Sequence, residues 1–298
     1  MQCRTVRPAA KLGPVTEPLS ALTGRQRELI GAWLPGAAVE ADMGWGLVET
    51  AVLRVRSGDR LVVVKAGGAS DLHIAREIRA HREWTGPWVR RGRAARLLHA
   101  DTGAKVLVTE YLPGTLVQDT AAAADPGLYE QAGALLREYH DQAAADDPEY
   151  ETRLNAKALA WLDRPHRIAP AAAARLAALV RSWPSGGAAC VPTHGDWQTR
   201  NWLLDGGVLR VIDFGRADLR PAAEDFERLA VKEFPRHPGA EEAFVSGYGG
   251  DPREPAAWFR QRVRSAIGTA CWARQVGDAD FEAQGHRMIA AVLAEAET

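Results

Sequence analysis

The chain has 298 residues, 46% of them hydrophobic, and sets 37 Lys and Arg against 38 Asp and Glu for a net charge of −1. That is enough apolar material for one large or two medium folded units, while the near-neutral balance excludes a global pull towards nucleic acid or an acidic membrane surface. Three widely spaced cysteines, Cys3, Cys190 and Cys271, form no CxxC or Cys/His cluster and read as free thiols of a reducing compartment, not as a disulfide framework or metal site.

Pro8, Pro14 and Pro18 break the N-terminal stretch, so it has no signal-peptide core, and no apolar run reaches the length of a membrane span. A soluble, cytoplasmic protein with neither membrane nor nucleic-acid partner is expected. Thr23 followed by Gln26 then signals a helix whose apolar face is Leu29, Ile30 and Trp33, and Pro35-Gly36 ends it. Gly44-Trp45-Gly46 precedes the alternating residues Val48, Thr50 and Val52, and the turn Ser57-Gly58-Asp59 leads to an apolar strand closing on Lys65. Gly44 and Gly46 either let backbone amides approach phosphates or form a plain turn.

Lys65 ends an apolar strand, so its stem is expected to be buried and its ammonium to need an acid. Asp71 can cap a helix whose face is Ile74, Glu77, Ile78, His81 and Trp84. Glu77 on that face is the natural partner of Lys65, the alternative being an exposed glutamate in an Arg-rich helix. Strands over 95–100 and 105–110 follow, joined by Asp101-Thr102-Gly103. Tyr111-Leu112-Pro113-Gly114 then breaks the sheet, and helical periods take over at 128–140, 155–162 and 171–183. The expected division is a β-rich nucleotide-binding lobe over 1–111 and a helical lobe over 112–298.

Residues 191–217 interrupt the helices. A loop carrying His194, Gly195, Asp196 and Asn201 leads to a strand over 202–204, a turn Asp205-Gly206-Gly207 and a strand over 208–212 that delivers Asp213-Phe214-Gly215. Two carboxylates and a carboxamide thus meet at one end of a hairpin. That set suits phosphoryl transfer: an Asp to orient a hydroxyl, an Asn and an Asp to hold Mg²⁺ on a nucleotide. Beyond it, Asp225 reads as a helix-start acid or loop anchor ahead of helices over 240–248, 256–276 and 281–294. Trp258, Phe259, Trp272 and Phe281 read as core aromatics or as the lining of a cleft.

With these pieces in order, the chain resembles the aminoglycoside phosphotransferase family of antibiotic and small-molecule kinases over roughly residues 35–250. His194-Gly195-Asp196, Asn201 and Ile212-Asp213-Phe214-Gly215 carry the resemblance. Lys65, Glu77, the 109–114 hinge, Arg137 with His140, and Pro221 with Asp225 support it. It implies an α+β, protein-kinase-like bilobal fold with a catalytic β-hairpin. It implies Asp196 as catalytic base, Asn201 and Asp213 as Mg²⁺ ligands, and Lys65 with its partner Glu77 at the phosphates of ATP or GTP. Glu110 and Leu112 would offer a backbone carbonyl and amide to the purine. The chain departs from the pattern in its sparse nucleotide-loop glycines and at Gln198-Thr199-Arg200, where small residues or Pro-Gly are common; Arg200 either lends charge to the transferring phosphate or faces solvent, the preferred reading.

The expected activity is transfer of the γ-phosphate to a hydroxyl of an aminoglycoside or another cationic antibiotic. That acceptor calls for an acidic cleft, for which Asp218, Glu241, Glu242, Asp278, Asp280 and Glu282 are candidates. A metabolic kinase of the same fold, acting on a sugar or amino alcohol, is the alternative, and a non-catalytic nucleotide-binding module a third reading. A protein kinase fits less well. Too few residues separate Asp213 from 221–225 for a regulated activation segment, and Gly195 stands where such kinases carry arginine.

Overall fold

Thr23 and Gln26 form the expected capping box: the Gln26 amide donates to Thr23 Oγ1, and the Thr23 amide to Gln26 Oε1. They open α1 (Gly24–Trp33) in a computed structural model that describes residues 22–44 and 50–297. Gln26 Nε2 also donates to Gly67 O at 3.0 Å and Ala104 O at 2.8 Å, tying the helix to the sheet behind it. The sheet begins with β1 (Ala38–Asp42), a strand without clean alternation that the sequence did not announce. It continues through β2 (Thr50–Ser57) and β3 (Arg60–Gly67). After α2 (His73–Glu83) and α3 (Gly86–Arg90) come β4 (Leu97–Asp101) and β5 (Val106–Glu110). Gly46 and Val48 lie outside the described residues.

All pairs in this sheet are antiparallel, in the order β1-β2-β3-β5-β4. Strand alternation divides its side chains between two helices. Leu53, Val55, Val62, Val64, Val106 and Val108 pack with Ile30 of α1 and Leu34 just after it, whereas Leu107 packs with Ile74 and Ile78 of α2. Lys65 pairs with Leu107 in the β3–β5 register and therefore faces α2. Asp71 caps that helix as expected, its Oδ1 accepting from the amides of His73 and Ile74 at 2.9 Å.

The rest of the chain is mainly helical, from β6 (Thr115–Leu116) and α4 (Pro126–His140) through β7 (Ala145–Asp147), α5 (Tyr150–Leu162) and α6 (Pro170–Ser182) to β8 (Ala188–Thr193). The predicted hairpin is β9 (Trp202–Asp205) with β10 (Val208–Val211), followed by β11 (Asp218–Arg220), a 3-10 turn at Ala222–Phe226, and α7 (Glu227–Lys232). α8 (Ala240–Tyr248), α9 (Pro255–Val276) and α10 (Ala279–Glu295) complete it. Two three-stranded sheets, β10-β9-β6 and β11-β8-β7, brace this part. The architecture is the α+β, protein-kinase-like one, and among the described residues no helix is long and apolar enough to cross a membrane.

α4 and α8 cross at two glycines. A Cβ on Gly133 would lie 2.1 Å from Phe244 O, and one on Gly247 would lie 2.1 Å from Glu130 O. Backbone on both sides leaves nothing that can yield. Gly247→Ala is therefore expected to cost on the order of 3 kcal/mol, read as a lowered urea midpoint. An unchanged midpoint would mean that the crossing opens without penalty.

Candidate active site

The β9–β10 turn uses Gly206 and Gly207 with φ of 55° and 79°, the paired left-handed geometry of a two-residue hairpin. Its strands bring their outer ends together, so Ile212 N donates to Asn201 O at 3.0 Å and Asp213 follows directly. Asp213 is itself left-handed, at φ 67°, a conformation disfavoured for a residue with a side chain. Lys65 Nζ lies 3.0 Å from Asp213 Oδ1, and 2.8 and 3.0 Å from the two oxygens of Glu77. At 4% exposure Glu77 is the buried partner, not the exposed alternative. Burial opposes the Lys65 ammonium, but the charges of Asp213 and Glu77 outweigh it and hold the pKa above the ordinary lysine value. In return the Lys65 charge pulls Asp213 below the usual carboxylate range.

Asp196 is 2% exposed, and both of its oxygens are engaged. Oδ1 accepts from Gln198 Nε2 at 2.5 Å and lies 3.4 Å from Arg228 Nε; Oδ2 accepts from Arg200 Nη2 at 2.5 Å and Asn201 Nδ2 at 3.1 Å. Burial pushes the Asp196 carboxyl up, but Arg228 and Arg200 more than offset this and leave it below the ordinary value. It is a carboxylate at neutral pH. Arg200, expected to face solvent, instead pairs with Asp196, because a buried carboxylate four residues back gives its guanidinium a strong partner.

Asp225 holds the loop. Its oxygens accept from His194 N at 2.7 Å and Gly195 N at 2.6 Å, and His140 Nε2 lies 3.0 Å away. Tyr248 Oη and His140 Nδ1, 2.8 Å apart, complete the chain, which is the loop-anchor role read from the sequence. Gly195 has φ 75°, and a Cβ there would lie 2.3 Å from Arg216 O, so the motif glycine is a steric necessity. Trp88, Trp197, Trp202 and Phe214 pack beneath as a buried aromatic floor.

The sequence profile of the phosphotransferase enzyme family matches residues 46–258, most of the chain. The chain belongs to that family. As a phosphotransferase of this family it is a small-molecule kinase. No curated protein sequence matches it significantly, but solved structures do in fold. Choline kinase LicA from Streptococcus pneumoniae aligns with TM-score 0.65 at 14% identity, over 91% of this chain and 98% of that one. Macrolide 2'-phosphotransferase MphH from Brachybacterium faecium aligns with TM-score 0.53 at 16% identity, over 89% and 96%. A thermostable variant of aminoglycoside phosphotransferase APH(4)-Ia, in ternary complex with ADP and hygromycin B, aligns with TM-score 0.61 at 14% identity, over 91% and 98%.

Within this phosphotransferase, Lys65, Glu77 and Asp213 form one set of contacts at the hairpin end, and Asp196 and Asn201 another. Glu110 lies three register pairs along the β3–β5 ladder from Lys65, about 10 Å away, and Leu112 lies two residues beyond the strand. Gly44 donates its N–H to Asp42 Oδ1 at 2.8 Å, so that amide serves its own turn. The expected acids do not gather. Asp218 is taken by Arg79 at 2.6 Å, Glu241 by Arg253 at 2.6 Å and Glu282 by Arg167 at 3.4 Å, while Asp278 caps α10 through the Phe281 amide. Glu242 and Asp280 are exposed. The sequence reading missed Gln198, Arg228 and Lys232; the one available signal was the spacing of Arg228 and Lys232, which puts both on one face of α7.

Behind the Lys65–Glu77 pair, His81 packs its ring on the edge of Phe214, and burial, with the nearby Lys65 charge, pushes the imidazole down to about 3. A depressed pKa means that stability is intact above the unfolded histidine value and is lost as pH falls towards the folded one. Between about pH 6.5 and 3, His81 should contribute a loss approaching about 1.4 kcal/mol per pH unit. Comparing urea stability against pH for the wild type and His81→Leu checks this; identical slopes would refute it.

Proposed function

We propose that this phosphotransferase transfers the γ-phosphate of ATP or GTP, with Mg²⁺, to a hydroxyl of a small molecule. The observation that carries the proposal is the junction at the hairpin end, where Asp196 and Asn201 stand before the strands and Asp213, held by the Lys65 that Glu77 also binds, stands after them. Asn201 Nδ2 donates to Asp196 O at 2.7 Å, which leaves the amide oxygen, a hard donor, for a cation. The Asp213 carboxylate supplies another. Among the described residues no cluster of three His, Cys, Asp or Glu could hold a metal alone. That suits Mg²⁺, which binds through one or two protein groups plus substrate phosphates. The ion would neutralise charge on the nucleotide's phosphates.

The protein's own groups do the rest. Lys65, locked between two carboxylates, is a fixed cation for the phosphates, and Glu110 and Leu112 take the purine through their backbone carbonyl and amide. The role proposed for Gly44 and Gly46 is to let the chain come close to the phosphates. Asp196 orients the acceptor hydroxyl and receives its proton; because the transition state is loose, this needs positioning more than a raised pKa. The reduced thiols of Cys190 and Cys271 and the nucleotide requirement fit a cytoplasmic site of action.

An aminoglycoside or other cationic antibiotic is the acceptor that the resemblance suggests, but antibiotic and choline kinases share this fold and so do not choose. One observation favours the metabolic reading: the carboxylate at the centre is ringed by Arg200 and Arg228. The test is enzyme-linked nucleotide turnover across aminoglycosides, peptide antibiotics, macrolides, sugars and amino alcohols, with and without chelator. Chelator-sensitive turnover with a hydroxylated acceptor is expected. A chain that binds no nucleotide would overturn the proposal.

A further inference from the structure

Resting on that kinase reading, we propose that Arg200 reserves the catalytic carboxylate for the acceptor: in the free protein its guanidinium covers the Asp196 oxygen that a hydroxyl must reach, shutting out water, and a bound acceptor displaces it.

The cover over Asp196 is nearly complete. At 2% exposure the residue is barely touched by a water molecule, although its role is to meet a hydroxyl. One of the groups around it must leave first. Its neighbours in the loop, Trp197, Gln198 and Asn201, are themselves buried. Gln198 Nε2 donates to Oδ1 at 2.5 Å while its Oε1 lies 3.4 Å from Lys232 Nζ, and Asn201 Nδ2 binds Asp196 O at 2.7 Å as well as Oδ2. Moving either of them breaks interior contacts. Two arginines remain. Arg228 Nε stands 3.4 Å from Oδ1, long for a hydrogen bond, and its departure leaves that oxygen under Gln198. Arg200 Nη2 is 2.5 Å from Oδ2, its side chain is 39% exposed, and among the described residues its guanidinium bonds to Asp196 alone. It can swing away and open Oδ2 while Gln198, Asn201 and Trp197 keep their places.

This arrangement separates the acceptor from water by binding energy. Parting a charge-assisted pair is unfavourable, and a free water molecule brings no other contacts to offset that loss. An acceptor held in the cleft does, so its remote contacts drive the displacement. The apparent affinity for the acceptor is correspondingly reduced by the small fraction of molecules in which Arg200 has moved. Transfer and hydrolysis differ only in whose oxygen attacks. That oxygen bonds to the γ-phosphorus as the bond to the β–γ bridging oxygen breaks; the nucleoside diphosphate leaves with the electron pair, and the attacking group's proton passes to Asp196. Covering Asp196 until the acceptor arrives therefore protects the nucleotide. Released, Arg200 still has an anion close by: behind the pull of Lys65, its charge helps to hold the Asp213 carboxyl low.

The first arm of the experiment uses ATP, Mg²⁺ and water alone. Phosphate release is measured for wild type, Arg200→Met, Arg200→Ala, Arg200→Lys and Arg228→Met, with the nucleotide Kd of each as the check on folding. Arg200→Met and Arg200→Ala should hydrolyse ATP about tenfold or more faster than wild type. Arg200→Lys, which returns a cation to the position, should bring the rate back towards wild type, and Arg228→Met should raise it less than Arg200→Met. In the second arm, with an acceptor identified by the substrate panel, Arg200→Met should bind that acceptor more tightly by calorimetry and lose a larger share of its nucleotide to water. Four results would overturn the proposal: hydrolysis by both neutral Arg200 variants no faster than by wild type at an unchanged nucleotide Kd; hydrolysis and transfer falling together, which would make Arg200 a cation for the transferring phosphate; a larger rise from Arg228→Met; or loss of nucleotide binding in both neutral variants, which would place Arg200 in the nucleotide site. Wild type that fails to bind Mg²⁺ and nucleotide would instead remove the kinase reading, and this one with it.

Discussion

Replacing Asp196 with alanine should lower kcat by roughly 10²- to 10⁴-fold, the range a positioned proton acceptor supplies, while nucleotide affinity stays close to wild type. The separation follows from the two separate sets of contacts at the hairpin end. Lys65 binds both Glu77 and Asp213, and none of the three is bonded to Asp196, so the groups expected to hold phosphates and metal keep their geometry without it. The acceptor hydroxyl loses its partner. Alanine also strips a buried anion from Arg200 and Arg228, so the test needs Asp196→Asn beside it. Asparagine keeps the shape and an acceptor oxygen but is not a base. Steady-state kinetics and nucleotide titration on both variants decide the matter: if either retains near-wild-type kcat, Asp196 is not the base.

Much of this site was legible because its determinants are local. Lys65 closes an apolar strand, Asp71 caps the next helix, and the spacing of Ile74, Glu77 and Ile78 forces Glu77 onto the buried face; the strand register then leaves Lys65 only one helix to meet. The hairpin was equally plain, since two glycines between apolar runs admit few other conformations. What escaped depends on contacts distant in sequence. β1 lacks alternation and is a strand only because β2 offers it partners. β7, β8 and β11 are three to six residues long, and the residues they pair lie tens of positions apart.

Charge was the least legible property. Asp218 looked like a candidate for receiving a cationic acceptor, and nothing near it in sequence reveals that Arg79, far upstream, already holds it. Arg200 looked like a surface residue because its partner is buried only once the aromatic floor of Trp197, Trp202 and Phe214 has formed beneath the loop. A net charge of −1 conceals a basic ring around one carboxylate, because composition averages over the surface whereas binding depends on a few ångströms of it.

Asp225→Ala should be the most damaging change to stability, on the order of 3–5 kcal/mol. The carboxylate is fully buried and accepts from two loop amides, with His140 as a third partner, so its removal leaves the buried His194 amide, the half-buried Gly195 amide and the buried His140 without it at once. Burial pushes its carboxyl up, but the His140 contact and charge outweigh this and hold the pKa below the ordinary aspartate value. The sign follows: its contribution is complete above the unfolded value, about pH 4, and disappears only as pH falls through the lower folded one. At neutral pH the loss must therefore come from the substitution itself. Urea denaturation at pH 7 measures it, and a change under about 1 kcal/mol would show that the amides find other acceptors. Because those amides belong to His194 and Gly195, immediately before Asp196, the surviving folded fraction should also turn over slowly while binding nucleotide normally. A variant merely less stable, with full kcat in its folded molecules, would reduce Asp225 to a core residue and not the group that aims the base.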